Sequence, residues 1–319
     1  MARMKWTSKI AAMLIAFLLS GCTKSAADST EQQRAASTFF DQYETVFYAK
    51  SDLLTGSGGY QQLSQQDANT LRAPFAYLLQ GLDVIGKSAS HEILSNTSAA
   101  LVGAKDFHPP QGPTGFGDVQ SQFCYVLILR PGATFEISKV VGGATSVSAV
   151  EASTWKWSAK GTEGHPKPHI FFATQVGHSY LLISNSLDEA HAIFAKLGSD
   201  TAPNLSGFRD WESISRHEVW GYRRYRHTEE SKEAAGTSQV TPDTQALAFF
   251  ADPKQKTGVL RLFSPTGGTA QKMNETRLLP PFKVADGGVW ETVIPLAGNQ
   301  KSSDQIFVVM SWFGFGVSV

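Results

Sequence analysis

Three groups of residues in this 319-residue chain have types and spacings that could do chemistry. Ser153-Thr154-Trp155-Lys156 sets a hydroxyl and an amine three residues apart; at the start of a helix Oγ and Nζ meet one turn apart, and the amine could accept the serine proton. Lys256-Thr257-Gly258 sets a second lysine beside a hydroxyl. His165-Pro166-Lys167-Pro168-His169, with His178 beyond, offers imidazoles that could converge on a metal across a hairpin. Arg216, Arg223, Arg224 and Arg226 interleave with Trp220, Tyr222 and Tyr225, a combination that could stack on sugars or hold an anionic polymer.

Each group depends on the element that carries it. The stretch Val147 to Ser158 is rich in β-branched residues and tryptophan and predicts a strand, which would hold Ser153 and Lys156 apart. Lys256 falls in the turn of a predicted hairpin, Leu247 to Ala251 with Val259 to Phe263. The two motifs resemble part of the signature of penicillin-binding proteins and class A β-lactamases, but the S-D-N or S-x-N motif between them is missing, and Ser184-Asn185-Ser186 has the wrong spacing. No catalytic residue is assigned. Around the histidines Glu163 is the one acid, Lys167 stands between the first two imidazoles, and the prolines predict a rigid turn; no metal is expected. In the third group a strand from Glu218 to His227 puts Trp220, Tyr222, Arg224 and Arg226 on one side, the candidate binding face. The competing reading is a structural face on which arginine stems cover aromatics. No P-loop, Rossmann fingerprint, nucleophile elbow, EF-hand or zincin motif is present, so no cofactor is expected.

The elements predict an α+β fold, with N-terminal helices followed by mostly antiparallel sheet and a packed, capped helix. Residues 29–104 read as helical: Ala36, Phe39, Phe40, Tyr43, Val46 and Phe47 recur at helical spacing, and a second pattern from Leu71 to Leu82 surrounds Pro74, which must lie in a first turn or mark a kink. The proline- and glycine-rich run Lys105 to Ser121 is a loop. Region 122–227 mixes strands, beginning with Phe123 to Arg130, and a helix opened by the capping box Ser186-Leu187-Asp188-Glu189 and closed by Gly198, where a left-handed cap is favoured. Residues 228–245 form a polar loop, and 246–319 read as antiparallel hairpins ending in a strand from Ile306 onward.

The N-terminus is the most specific signal. Arg3, Lys5 and Lys9 precede an uncharged run from Ile10 to Leu19, too short to span a bilayer, which needs about 20 residues. The run ends in Leu19-Ser20-Gly21-Cys22, which resembles the lipobox of bacterial prolipoproteins. That resemblance implies cleavage between Gly21 and Cys22, a thioether-linked diacylglycerol on Cys22, and a tether over 22–28. It implies export and anchoring to the cell envelope, with the outer membrane the default in a Gram-negative cell because Thr23 is not aspartate.

Removing residues 1–21 takes away three basic residues and no acid, so the 28 against 28 balance of the whole chain becomes 25 against 28, a net charge of −3 over 298 residues. Nothing there favours nucleic acid. With Cys22 lipidated, Cys124 has no disulfide partner in the chain; its apolar surroundings predict a buried strand residue. The expected function is a non-catalytic binding or assembly module, held to the membrane by lipid and partnered by an envelope protein or polymer. The alternative is an envelope hydrolase whose residues meet only in three dimensions.

Overall fold

Every residue from Phe123 to Leu129 is buried, although the segment is a strand whose side chains alternate in direction. Such a run requires cover on both faces of the sheet, and this requirement organises the fold. The computed structural model describes residues 30–105, 122–142, 144–151, 153–159, 169–199, 201–225 and 240–313. Among them, twelve strands form one sheet: β1 (Thr45–Lys50), β2 (Thr97–Lys105), β3 (Gln122–Leu129), β4 (Ser148–Glu151), β5 (Thr154–Ala159), β6 (His169–Val176), β7 (Tyr180–Ser184), β8 (Val219–Arg224), β9 (Ala246–Asp252), β10 (Thr257–Phe263), β11 (Lys283–Asp286) and β12 (Val289–Pro295). Their order is β11-β12-β10-β9-β8-β1-β2-β3-β7-β6-β5-β4, with every neighbouring pair antiparallel.

The helices are α1 (30–42), α2 (Ser51–Thr55), α3 (Gln65–Arg72), α4 (Ala76–Val84), α5 (Lys87–Ser95), α6 (Ile137–Val141), α7 (Leu187–Leu197), α8 (Trp211–Ile214), α9 (Gly268–Thr276) and α10 (Gln300–Trp312). One apolar layer joins Phe47, Tyr125, Leu127, Leu181 and Phe249 of the sheet to α2 through α6, α9 and α10. The other joins Val46, Tyr48, Val126, Leu182 and Trp220 to α1, α7 and the segment around α8. The molecule is therefore α+β in three layers, with the sheet in the middle. The strand programme of its first half recurs in the second. A three-strand run is followed by a helix, and the last returning strand pairs with the third: β7 with β3, and β12 with β10.

Several expectations hold. Ser186 Oγ accepts from the Glu189 amide at 3.3 Å at the start of α7. Pro74 lies in a 3-10 turn between α3 and α4, and Gly177-His178 turns β6 into β7. Cys124 is buried in β3. Within α4, Gly81 lets the helix sit on the sheet: a Cβ there would stand 2.9 Å from the Phe171 ring, and the Gly81 carbonyl accepts from Trp157 Nε1 at 2.9 Å.

Four expectations are corrected. Region 29–104 is not all helical, since β1 and β2 lie within it; α1 stops at 42, and Val46 and Phe47 point to opposite faces of a strand. Gly198 ends α7 in the right-handed region, at φ −78° and ψ −8°. Residues 240–245 of the polar loop are irregular but not fully exposed, and Thr244 is buried. The expected final strand is α10, capped by Asn299, whose side chain accepts from the Ser302 amide at 2.9 Å. Ile306, Val309, Met310 and Phe313 fall at helical spacing and are buried, so a periodic apolar stripe overrides the strand preference of Ile306-Phe307-Val308-Val309. Residues 314–319 lie outside the described residues.

Residues 240–245 are tied to the start of α9, where the Thr241 amide donates to Thr269 Oγ1 at 2.7 Å. Asp243 accepts from Ser264 Oγ, Thr241 Oγ1, the Thr266 hydroxyl at 2.6 Å and the Thr266 amide at 3.2 Å. Partial burial pushes its carboxyl up, but these donors outweigh that and hold it well below the usual carboxylate range. A depressed folded value means that the stabilisation is present above the unfolded carboxylate pKa of about 3.9 and is lost as pH falls through the folded value. Asp243→Asn should therefore melt below wild type at pH 7, by about 1–2 kcal/mol at this half-exposed site. The gap should narrow as thermal scans move from pH 5 toward pH 3. A gap that does not change with pH would show that the charge contributes nothing.

Candidate functional site

The arginine-rich strand β8 uses its basic residues on the protein itself. Arg223 and Arg224 point to opposite faces, because successive residues of a strand do. On one face Arg223 Nη1 donates to the Trp312 carbonyl at the end of α10, at 2.6 Å. On the other, Arg224 Nη2 donates to the Phe40 carbonyl near the end of α1, and its guanidinium lies 3.9 Å from the Phe40 ring centroid. Helix C-termini leave carbonyls without intrahelical donors and carry partial negative charge, so two adjacent arginines each close a helix in a different layer. Trp220 and Tyr222 are 0% and 1% exposed, beneath Phe40, Phe208 and Trp211. The expected face of Trp220, Tyr222 and Arg224 is thus a packed layer, and Arg226 lies outside the described residues.

The other sequence candidates are dispersed. Ser153 is in the turn between β4 and β5, and Lys156 follows on β5. Lys256 is in the β9–β10 turn with φ 52°. Strands β5 and β10 are eight positions apart in the sheet, roughly 38 Å at about 4.8 Å per strand. His169 begins β6 and His178 follows its end, so the strand separates them by roughly 25 Å. They do not converge on one metal. His165, like Gly21 and Cys22, lies outside the described residues.

A cleft opens instead beside the start of α1, on the face of the sheet that α1 and α8 cover. Its floor is Tyr48 at the end of β1, Ser98 and Ala99 of β2, and Ile128 of β3; one wall is Gln32 and Gln33 of α1, the other Trp211, Ser215, Arg216 and His217. The cavity is about 460 Å³. An outer hollow of about 690 Å³, bordered by Asp210, Glu212 and Ser213, continues from it past Trp211, Arg216 and His217. The walls are tied: Gln32 Nε2 donates to the Ser215 carbonyl at 3.2 Å. Glu31 accepts from Tyr180 Oη and from Ser179 Oγ at 3.3 Å, fixing the first turn of α1 on β7.

Aromatic side chains beneath and beside the cleft are held by one another. Tyr48 stacks on Trp220 with centroids 5.1 Å apart, and Trp211 meets both Phe208 and Trp220 edge-on, at 4.8 and 5.5 Å. Lys50 and Arg216 line the inner cavity, and Asp210 and Glu212 border the outer hollow. Arg216 is exposed, and Lys50 shares Glu218 with Lys254 at 3.8 and 3.5 Å. His217 stacks on Phe250 at 4.5 Å; burial lowers its pKa, Asp252 draws it back up and Arg261 lowers it further, so the ring is neutral at pH 7. Among the described residues lining the inner cavity there is no carboxylate. Outside it, Asp210 is committed to Arg261 at 2.9 Å.

Sequence reasoning reached Arg216 but placed the aromatic and basic surface one element too late. The exposed part is α8 and the turn after it, residues 211–217 before β8, the kind of connection that carries binding residues on a rigid scaffold. Gln32, Gln33, Tyr48 and Lys50 had no local signal, because the wall that faces them, residues 211–217, lies more than 150 positions away.

No helix among the described residues is long and apolar enough to cross a membrane. No family model matches the chain and no curated protein is similar to it. Among solved structures, TP0453 in crystal form I is similar with a TM-score of 0.42 and 8% identity, over 85% of this chain and 94% of that one. Its crystal form III gives 0.38 and 8%, over 82% and 94%. At that level of likeness no role passes from one protein to the other.

Proposed function

We propose that this chain is a lipid-anchored protein of the bacterial cell envelope whose folded body binds a partner or polymer and does no catalysis. The observation that carries the reading is Leu19-Ser20-Gly21-Cys22, set behind a charged and apolar leader. The reading has one geometric consequence, because Gln32 and Gln33 near the start of α1 line the cleft. Seven residues separate Cys22 from Thr30, so an acylated Cys22 would keep the cleft within about 30 Å of the membrane surface, at no more than ~3.6 Å per residue.

Intact-mass measurement of the protein from bacterial membranes tests the anchor directly. The expected mass is that of residues 22–319 plus a diacylglycerol unit and its further acylation. Cys22→Ser should move the protein from the membrane pellet into the soluble or secreted fraction, because the paired acyl chains supply the anchoring that one chain provides only marginally. An unmodified Cys22 in the wild-type protein would end this reading.

A further inference from the structure

We infer that the cleft beside α1 is a binding site for an acidic saccharide, a sugar unit that bears a carboxylate or phosphate. The inference rests on the binding-module reading above and names its ligand class.

The lining matches that chemistry in three respects. First, Trp211 is half-buried and clamped edge-on by Phe208 and Trp220, so its ring is held in one orientation at the boundary of both hollows. A fixed aromatic plane suits the apolar face of a pyranose and costs little ordering entropy on binding. Second, Gln32, Gln33, Ser98 and Ser215 bring polar side chains to the same space, with Gln32 Nε2 donating to the Ser215 carbonyl at 3.2 Å and Ser98 Oγ to the Ile128 carbonyl at 3.1 Å. A ligand carrying many hydroxyls can pair with the Gln33 amide and the Ser215 hydroxyl and can donate to the Gln32 and Ser98 oxygens, which an acyl chain cannot do. Third, Arg216 and Lys50 stand on the rim with no carboxylate among the described residues of the inner lining. Glu218 pairs with both Lys50 and Lys254, so the inner lining sets its two cations, Lys50 and Arg216, against that one neighbouring carboxylate. Arginine can take a carboxylate or phosphate with two parallel hydrogen bonds. A cavity of about 460 Å³ falls within the ~300–1,000 Å³ range of small-ligand sites. Glu212 borders the outer hollow, so the anionic group is expected in the inner cavity, held by Arg216 with Lys50 as the weaker second cation.

The test uses the full protein purified in detergent and followed by tryptophan fluorescence and calorimetry. Trigalacturonate, glucose 6-phosphate, neutral maltotriose, and glycerol phosphate as the fragment of a phospholipid head are titrated in parallel. The expected result is binding of trigalacturonate or the sugar phosphate at least about tenfold tighter than maltotriose and glycerol phosphate. Arg216→Ala should cost about tenfold and Lys50→Ala about threefold in affinity, while Lys272→Ala, on α9 in the opposite layer, leaves it unchanged. Arg216 and Lys50 are both exposed, so these variants should melt with wild type. Equal binding of maltotriose, glycerol phosphate binding as tightly as the sugars, no saccharide binding, or affinity unaltered by Arg216→Ala would each overturn the inference. The mass at Cys22 decides the anchor separately, so either result can fail while the other stands.

Discussion

Tyr222→Ala combined with Arg224→Ala should lower the stability of the body by about 4–6 kcal/mol, a fall in thermal midpoint of roughly 10–20 °C. Tyr222 is 1% exposed and its ring lies 4.0 Å from that of Phe208 and 5.5 Å from that of Phe40, so truncation opens a cavity between the sheet and α1. Its hydroxyl also accepts from the Arg209 amide at 3.2 Å, and that donor would be left without a partner. Arg224 adds the bond that closes α1 at Phe40 and the guanidinium packed over the same ring. A hydrogen bond from a charged donor is worth about 1.5–3 kcal/mol. Because both side chains touch Phe40, the pair should cost less than the sum of the single changes. Thermal melts of the singles and the double decide the matter. A double variant melting within a degree or two of wild type would mean that the strand is not the packed layer described here.

Asp67→Ala should be the most damaging change outside the sheet, at about 3–5 kcal/mol. Asp67 lies in the first turn of α3 and is fully buried. Its carboxylate accepts from Ser303 Oγ at 2.7 Å, from Ser302 Oγ at 3.2 Å and from the Gly298 amide at 2.8 Å, three donors contributed by the start of α10 and the turn before it. Those donors lie more than 230 residues away, and Ser302 and Ser303 are themselves buried. Removing the acceptor leaves several buried donors unpaired at once, whereas Asp67→Asn keeps one carbonyl acceptor and should lose about half as much. Denaturant titration gives both values. If the two variants were equally mild, α10 would be held by its apolar stripe alone.

Much of the architecture was legible where a signal is local. The capping box at Ser186 needs only residues three apart, the β6–β7 and β9–β10 hairpins show their turn residues between apolar strands, and Pro74 marks a break wherever it falls. The errors share one cause. A strand covered on both faces loses the alternation of apolar and polar residues by which strands are recognised, so Val46 and Phe47 fitted a helical stripe as well as they fit β1. In the last element the confusion ran the other way. Ile306 to Val309 look like a strand residue by residue, and only the cap at Asn299 and burial at helical spacing make them α10.

By itself the sequence determined the α+β class, the capped helix α7 and the buried character of Cys124, each read from neighbours in the chain. Tertiary structure alone decided that β8 is central and covered, that Arg223 and Arg224 close two helices in opposite layers, and that Ser153 and Lys256 stand far apart. It alone decided the cleft, whose walls meet through a hydrogen bond between residues 183 positions apart. The physical reason is that chain geometry carries periodicity, caps and turns over a few residues. Which face of an element is covered, and which side chains converge, depends on surfaces that distant segments bury against one another.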